Sequence, residues 1–109
     1  MNNILRGVKL LLRIIYVLDW TLVGTNLQCR GSEVRKGRLK KVDECYLACL
    51  TVSSMFIYGT KSKCNNNGCN CWCQTSARSN GTCLLTPTQD YKLYKHENLI
   101  KGKYDHEFT

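Results

Sequence analysis

The sequence predicts a small disulfide-rich α+β fold, and three observations predict it. All eight cysteines fall between Cys29 and Cys83, a density well above that of ordinary globular chains. Their number is even, as full pairing requires. A Cys-x-x-x-Cys pair, Cys45 and Cys49, precedes the alternating run Cys69, Cys71 and Cys73. A segment of this size buries too little apolar surface to offset its chain entropy unaided. Each crosslink contributes about 2–4 kcal/mol by restricting the unfolded chain. A reduced zinc protein would use the same thiols. However, the two-residue Cys-x-x-Cys knuckle is missing, and the histidines, His96 and His106, lie beyond the last cysteine. The expectation is therefore a scaffold with no metal and no cofactor.

In chain order, residues 1–25 read as a secretory signal. Arg6 and Lys9 precede an apolar run, Leu10 to Leu12 and Ile14 to Leu18, which Arg13 interrupts and Asp19 closes. A cut is expected near Val23 to Asn26. The run is too short for a comfortable transmembrane helix. Together with the cysteines it predicts a secreted, extracellular protein. The cysteine-bearing domain is expected over residues 26–85, opening with a basic loop from Arg30 to Lys41. Asp43 and Glu44 suit a helix N-terminus, and Val42, Leu47, Ala48 and Leu50 extend a helix from Val42 to Ser53. Met55 to Tyr58 reads as a strand. Asn65-Asn66-Asn67-Gly68 is a tight-turn signal, with Asn67-Gly68 favouring a type I′ hairpin. A second strand follows from Cys69 to Thr75. Asn80-Gly81-Thr82 is a glycosylation sequon in a secreted chain. Residues 86–109 hold no cysteine and are expected to form a flexible polar tail, carrying Tyr91, Tyr94 and Tyr104.

The cysteine spacing has a geometric reason. Two cysteines four apart on a helix share a face and are separated by about 6 Å along the axis. Two cysteines in Cys-x-Cys on a strand also share a face, roughly 6.6 Å apart. A helix carrying the first pair can thus be stapled to a strand carrying the second by two parallel disulfides. Three alternating cysteines lie on the strand here and the helix can use only two. Spacing leaves that choice open.

The order Cys29, Cys45-x-x-x-Cys49, Cys64, Cys69-x-Cys71-x-Cys73 resembles the cysteine-stabilised α/β peptides, the superfamily of scorpion channel toxins and of invertebrate and plant defensins. The resemblance covers about Cys29 to Thr75. It implies one helix on a two- or three-stranded antiparallel sheet, in the order strand, helix, strand, strand. Two registers are compatible with it. In one, "SKCNNNGCNC" is similar to a stretch of the scorpion potassium-channel blockers, which implies bridges Cys29–Cys64, Cys45–Cys69, Cys49–Cys71 and Cys73–Cys83. In the other, "NCWCQT" is similar to the end of insect antifungal defensins and to the Cys-Trp-Cys of sodium-channel toxins. That register implies Cys45–Cys71, Cys49–Cys73, Cys29–Cys64 and Cys69–Cys83, and Trp72 between its cysteines favours it.

The resemblance implies a binding protein and not an enzyme. Nothing in the sequence argues for catalysis: no Ser/His/Asp set falls in one compact segment, and the cysteines are needed as staples. The first expectation is a venom-type toxin on a voltage-gated sodium or potassium channel. Lys63 matches the blockers' pore-plugging lysine, whose ammonium replaces a potassium ion among filter carbonyls. Asn66 matches their asparagine, and Trp72 and Tyr58 are the candidate contact aromatics of a sodium-channel reading. The alternative is a cationic, antimicrobial defensin-like peptide. The formal charge is +8, and Arg30, Arg35, Lys36, Arg38, Lys40 and Lys41 would bind anionic lipid at about 1 kcal/mol each. A third reading is a secreted cysteine-rich ligand. Nucleic acid is not an expected partner, because no stacking motif or reading helix is evident. The expected state is a monomer, with an interchain disulfide left open.

Overall fold

Residues 20–97 are described by a computed structural model. The expected signal's basic and apolar part, Tyr104 and His106 lie outside them. The described chain forms β1 (Trp20–Cys29), β2 (Val34–Leu39), α1 (Val42–Cys49), β3 (Met55–Gly59), a 3-10 turn (Lys61–Lys63), β4 (Cys64–Asn65), β5 (Gly68–Cys73) and β6 (Leu85–His96). All pairings are antiparallel, in the order β1-β6-β3-β5-β2, with β4 also on β5. The result is a six-stranded, four-disulfide sheet with one helix, richer in strand than the expected two or three.

The inner piece β2-α1-β3-β5 follows the strand–helix–strand–strand order, with the Cys-x-Cys strand β5 between β3 and β2. Cys45 bonds to Cys71 and Cys49 to Cys73. Their Cα separations of 5.5 and 5.3 Å follow from the matched rise of one helical turn and two strand residues. This is the second of the two registers. The remaining partners differ from that register: Cys29 bonds to Cys83 and Cys64 to Cys69. The reason is local. Cys64 and Cys69 face each other directly across the β4–β5 hairpin, so neither reaches Cys29 or Cys83. Cys29 lies beside Leu85 on the neighbouring strand, within reach of Cys83.

Helix α1 is shorter than expected. Glu44 folds back to accept the Lys40 and Lys41 N–H groups (2.8 and 3.3 Å), the reverse half of a capping box. At the other end Val52 and Ser53 donate to Cys49 O, closing the helix before residues 50–53. The Arg30–Lys41 stretch is not all loop either, since Val34–Leu39 is an edge strand on β5. The hairpin turn also differs from type I′. Asn66 and Asn67 are absent from the left-handed region, and the positive φ, +115°, falls on Gly68. A type I turn followed by such a glycine is the alternative hairpin solution. Gly68 also meets a close approach, since a Cβ there would lie 2.2 Å from Leu39 O.

The largest correction concerns residues 86–96. The expected tail is strand β6, paired with β1 on one side and β3 on the other. Its Tyr91, Leu93 and His96 are buried. Strand β1 begins at Trp20, so the boundary expected after residue 25 falls inside it. A cut near Val23 to Asn26 would remove the stretch that pairs with residues 92–96.

Two apolar layers sandwich the sheet. Under the helix lie Cys45, Tyr46, Cys49, Phe56, Cys71 and Cys73, flanked by Trp20, Tyr58 and Tyr94. On the opposite face lie Cys29, Met55, Ile57, Tyr91 and Leu93, flanked by Leu27, Trp72, Ala77 and Cys83. Gln74 pins the second layer from within. It is fully buried, accepts the Cys29 N–H at 2.9 Å and donates to Glu33 at 2.8 Å. Both ends of its amide are thereby satisfied, as burial requires.

Candidate functional site

The sheet face away from the helix gathers several of the residues the sequence singled out. On β5, Asn70 and Trp72 alternate with Cys71 and Cys73, so they point away from the helix. On β2, Arg35 stands opposite Trp72 and Arg38 opposite Asn70. Residues three apart on a regular strand would face opposite ways. A bulge between Arg35 and Gly37 removes the mismatch. Gly37, at φ +88°, supplies the conformation that other residues adopt only with strain. The bulge therefore turns both arginines to one face and leaves Lys36 unpaired and exposed.

Hydrogen bonds fix these cations in place. Arg35 donates to Asn70 Oδ1 at 3.0 Å, Arg38 to Lys63 O at 2.9 Å, and Lys40 Nζ to Asn66 O at 3.0 Å. All three acceptors are neutral, so the bonds hold the side chains without cancelling their charge. Lys41 is exposed at the start of the helix. Arg30 is separate: it follows β1 and bonds through its backbone to Leu84, near the end of the sheet distant from Lys40.

Tyr91 organises the middle of this face. Its hydroxyl accepts from Asn70 Nδ2 (3.2 Å) and from the Trp72 indole N–H (3.1 Å). The Lys63 ammonium lies 5.6 Å from its ring centroid, a cation–π contact of about 0.5–1 kcal/mol where exposed. Lys63 is thus laid against the sheet, and its carbonyl serves Arg38. Asn66 is exposed at the tip of the β4–β5 hairpin, where Asn65 Oδ1 accepts the Asn67 N–H at 2.7 Å. Tyr58 is not part of this surface. It lies on the helix side and donates its hydroxyl to Leu39 O at 2.6 Å. Burial pushes its phenol pKa up.

Lys61 and Lys63 flank Asp90, whose carboxylate accepts the Ser62 hydroxyl at 2.5 Å. That bond holds the Asp90 carboxyl below its usual range, with the two lysines adding to it. Asn70, Asp90 and Tyr91 bond to or flank the candidate residues and are the ones that the sequence did not single out for this surface. The alternation of Tyr91 and Leu93 with Lys92 and Tyr94 is the strand signal that marks the last.

The Cys45, Cys49 and Cys71 sulfurs lie within 4.8 Å of one another. They belong to two adjacent bridges and offer no thiolate to a metal. Asn80 is exposed on the loop between β5 and β6. Among the described residues no helix is long and apolar enough to cross a membrane. Comparison with protein-family models, curated proteins and solved structures finds no match for this chain.

Proposed function

We propose that this chain is a secreted binding protein that docks its cationic sheet edge onto an acidic protein surface, the outer vestibule of a voltage-gated cation channel being the leading target. One observation carries the reading. Arg35, Arg38 and Lys40 are held in position by neutral acceptors, so their side chains present a fixed positive surface. Such a surface steers association with an acidic partner and is weakened by salt. Lys36 and Lys41 extend it, and Asn66 at the hairpin tip adjoins it through Lys40. The resemblance of the inner piece to cysteine-stabilised α/β toxins supports the choice of a channel, and the sodium or potassium class follows the two motifs read above. Lys63 can leave the Tyr91 ring at a cost of about 0.5–1 kcal/mol, so its position does not prevent a plugging role. Binding, not catalysis, is the mode this surface serves.

A defensin-like action on anionic membranes is the second reading. It is favoured by Leu47 on the helix and Leu50 just after it, exposed at 52% and 46%, which offer apolar area to a membrane. The test is current recording from voltage-gated sodium and potassium channels with the oxidised protein, alongside binding to vesicles with and without phosphatidylserine. Channel inhibition that Lys36→Ala/Lys40→Ala/Lys41→Ala weakens at least tenfold supports the first reading. Vesicle binding with no effect on current moves the assignment to the second. Failure of both assays sinks the cationic edge as the functional surface.

A further inference from the structure

We infer that Asn80 carries an N-linked oligosaccharide, placed at the end of the sheet opposite the cationic hairpin. The inference rests on the secreted reading above, since the modifying transferase works only in the secretory pathway. The sequence supplies Asn80-Gly81-Thr82, the acceptor pattern. Geometry supplies the rest. Residues 78–81 form a tight turn in which the Gly81 N–H donates to Arg78 O at 3.0 Å. Asn80 is exposed at its tip. The Thr82 hydroxyl donates to Asn80 Oδ1 at 2.6 Å and accepts from Arg78 at 3.3 Å. The threonine thus already engages the amide oxygen, and the amide nitrogen, Nδ2, is the atom the reaction needs.

The turn is anchored while its tip stays exposed. Arg78 N–H bonds to Thr82 O at 2.8 Å, Ser54 donates its hydroxyl to Arg78 O, and Cys83 is tied to Cys29. A large polar group on Asn80 therefore extends into solvent without displacing core packing. In the modification a bond forms between Asn80 Nδ2 and C1 of the reducing-end sugar of a lipid-diphosphate-linked oligosaccharide. The C1–O bond to the diphosphate breaks, Nδ2 gives up one proton, and the lipid diphosphate leaves.

The placement is set by β5. Its Gly68 end carries the hairpin and approaches Leu39. Its Cys73 end leads into the loop that bears Asn80. Six strand residues separate the two ends by about 17 Å. The glycan accordingly leaves the Lys40 and Asn66 end uncovered.

The test is expression of the full chain in insect cells, followed by intact mass of the medium and cell fractions with and without a peptide N-glycosidase. Secreted protein with four disulfides and a mass excess that the glycosidase removes is expected. The excess should be lost in Asn80→Gln and Thr82→Ala and kept in Thr82→Ser. Secreted, fully bridged protein of unmodified mass overturns the glycan and leaves the secreted reading standing. Protein found only inside cells, with reduced cysteines and no glycan, overturns both.

Discussion

Two regions of the sheet are held by different means. The inner piece β2-α1-β3-β5 is stapled through two bridges to a single helix, and its pattern is written in local spacing. The outer ribbon, β1 with β6, is held along its length by backbone pairing, with one bridge, Cys29–Cys83, at its end. The inner piece has the cysteines, yet the ribbon supplies Tyr91 and Leu93 to one apolar layer and Trp20, Tyr94 and His96 to the other. Phe56 illustrates the dependence. It is fully buried, and two of its ring neighbours, Tyr94 at 5.1 Å and His96 at 5.3 Å, come from β6. Covalent staples therefore define the inner topology, while the ribbon completes the core that makes it stable.

The sharpest way to break this comparison is to remove β6. A chain ending at Leu85 keeps all eight cysteines and the whole inner piece. It loses the strand on which β3 pairs from Met55 to Gly59. We expect no cooperative thermal transition and a mixture of disulfide isomers, read by near-ultraviolet circular dichroism and peptide mapping. A truncated chain with the same four bridges and a cooperative melt would show the inner piece to be autonomous.

The same contrast explains what the sequence discloses. Cys45, Cys49, Cys71 and Cys73 are legible because helical and strand periods fix where side chains point. The ribbon's contribution depends on pairing between residues distant in sequence, such as Trp20 with His96 and Cys29 with Leu85, and no local spacing encodes that. Strand β1 is further disguised because its start directly follows an apolar run that reads as a signal. Strand β6 is disguised by Thr86, Gln89, Lys92 and Lys95, which make a half-buried strand look like a polar tail. The arginine face of β2 was hidden for another reason. Arg-Lys-Gly-Arg reads as a solvated loop until the bulge at Gly37 places both arginines on one side. Cys64–Cys69 is not legible from the family spacing, which pairs both cysteines elsewhere, whereas the β4–β5 hairpin sets them directly opposite each other.

A milder perturbation of the ribbon is Leu93→Ala. Leu93 is fully buried, whereas Leu22, on the adjacent strand, is 48% exposed. Truncating the first removes a core side chain and leaves a cavity, at a cost of about 2–5 kcal/mol. Truncating the second should change stability by no more than about 0.5 kcal/mol. Urea unfolding of the two variants measures the difference. Similar midpoints would mean that the ribbon does not share the core.

The ribbon also brings a pH dependence. His96 packs edge-on against Tyr46 at 4.8 Å between ring centroids, and its Nε2 is buried with no hydrogen-bond partner. Burial lowers its pKa from 6.5 to about 4. The folded state therefore binds fewer protons than the unfolded state between those values, and stability rises with pH across that window. The contribution is fully present above about pH 6.5 and is lost progressively down to about pH 4, on the order of 2–3 kcal/mol. His96→Phe should flatten the pH dependence of the urea midpoint in this window. An unchanged slope would place the acid sensitivity elsewhere.

The smallest expected effect belongs to the inner piece's own local bridge. Cys64–Cys69 spans a sequence separation of 5, against 54 for Cys29–Cys83. In the chain-entropy account a short loop restricts the unfolded chain least, giving about 2 kcal/mol for the hairpin bridge and about 4 kcal/mol for the ribbon bridge. Cys64→Ser/Cys69→Ser should retain the other three bridges and lose about 2 kcal/mol in urea unfolding. Its consequence for function is the more telling. Lys40 bonds to Asn66 within this hairpin, and Arg38 bonds to Lys63 immediately before it. Loosening the hairpin should weaken binding to an acidic target more than it lowers stability, because the bridge keeps the acceptors of two cations in place. If stability falls while binding holds, the cations do not depend on their hairpin acceptors, and the fixed positive edge reduces to net charge alone.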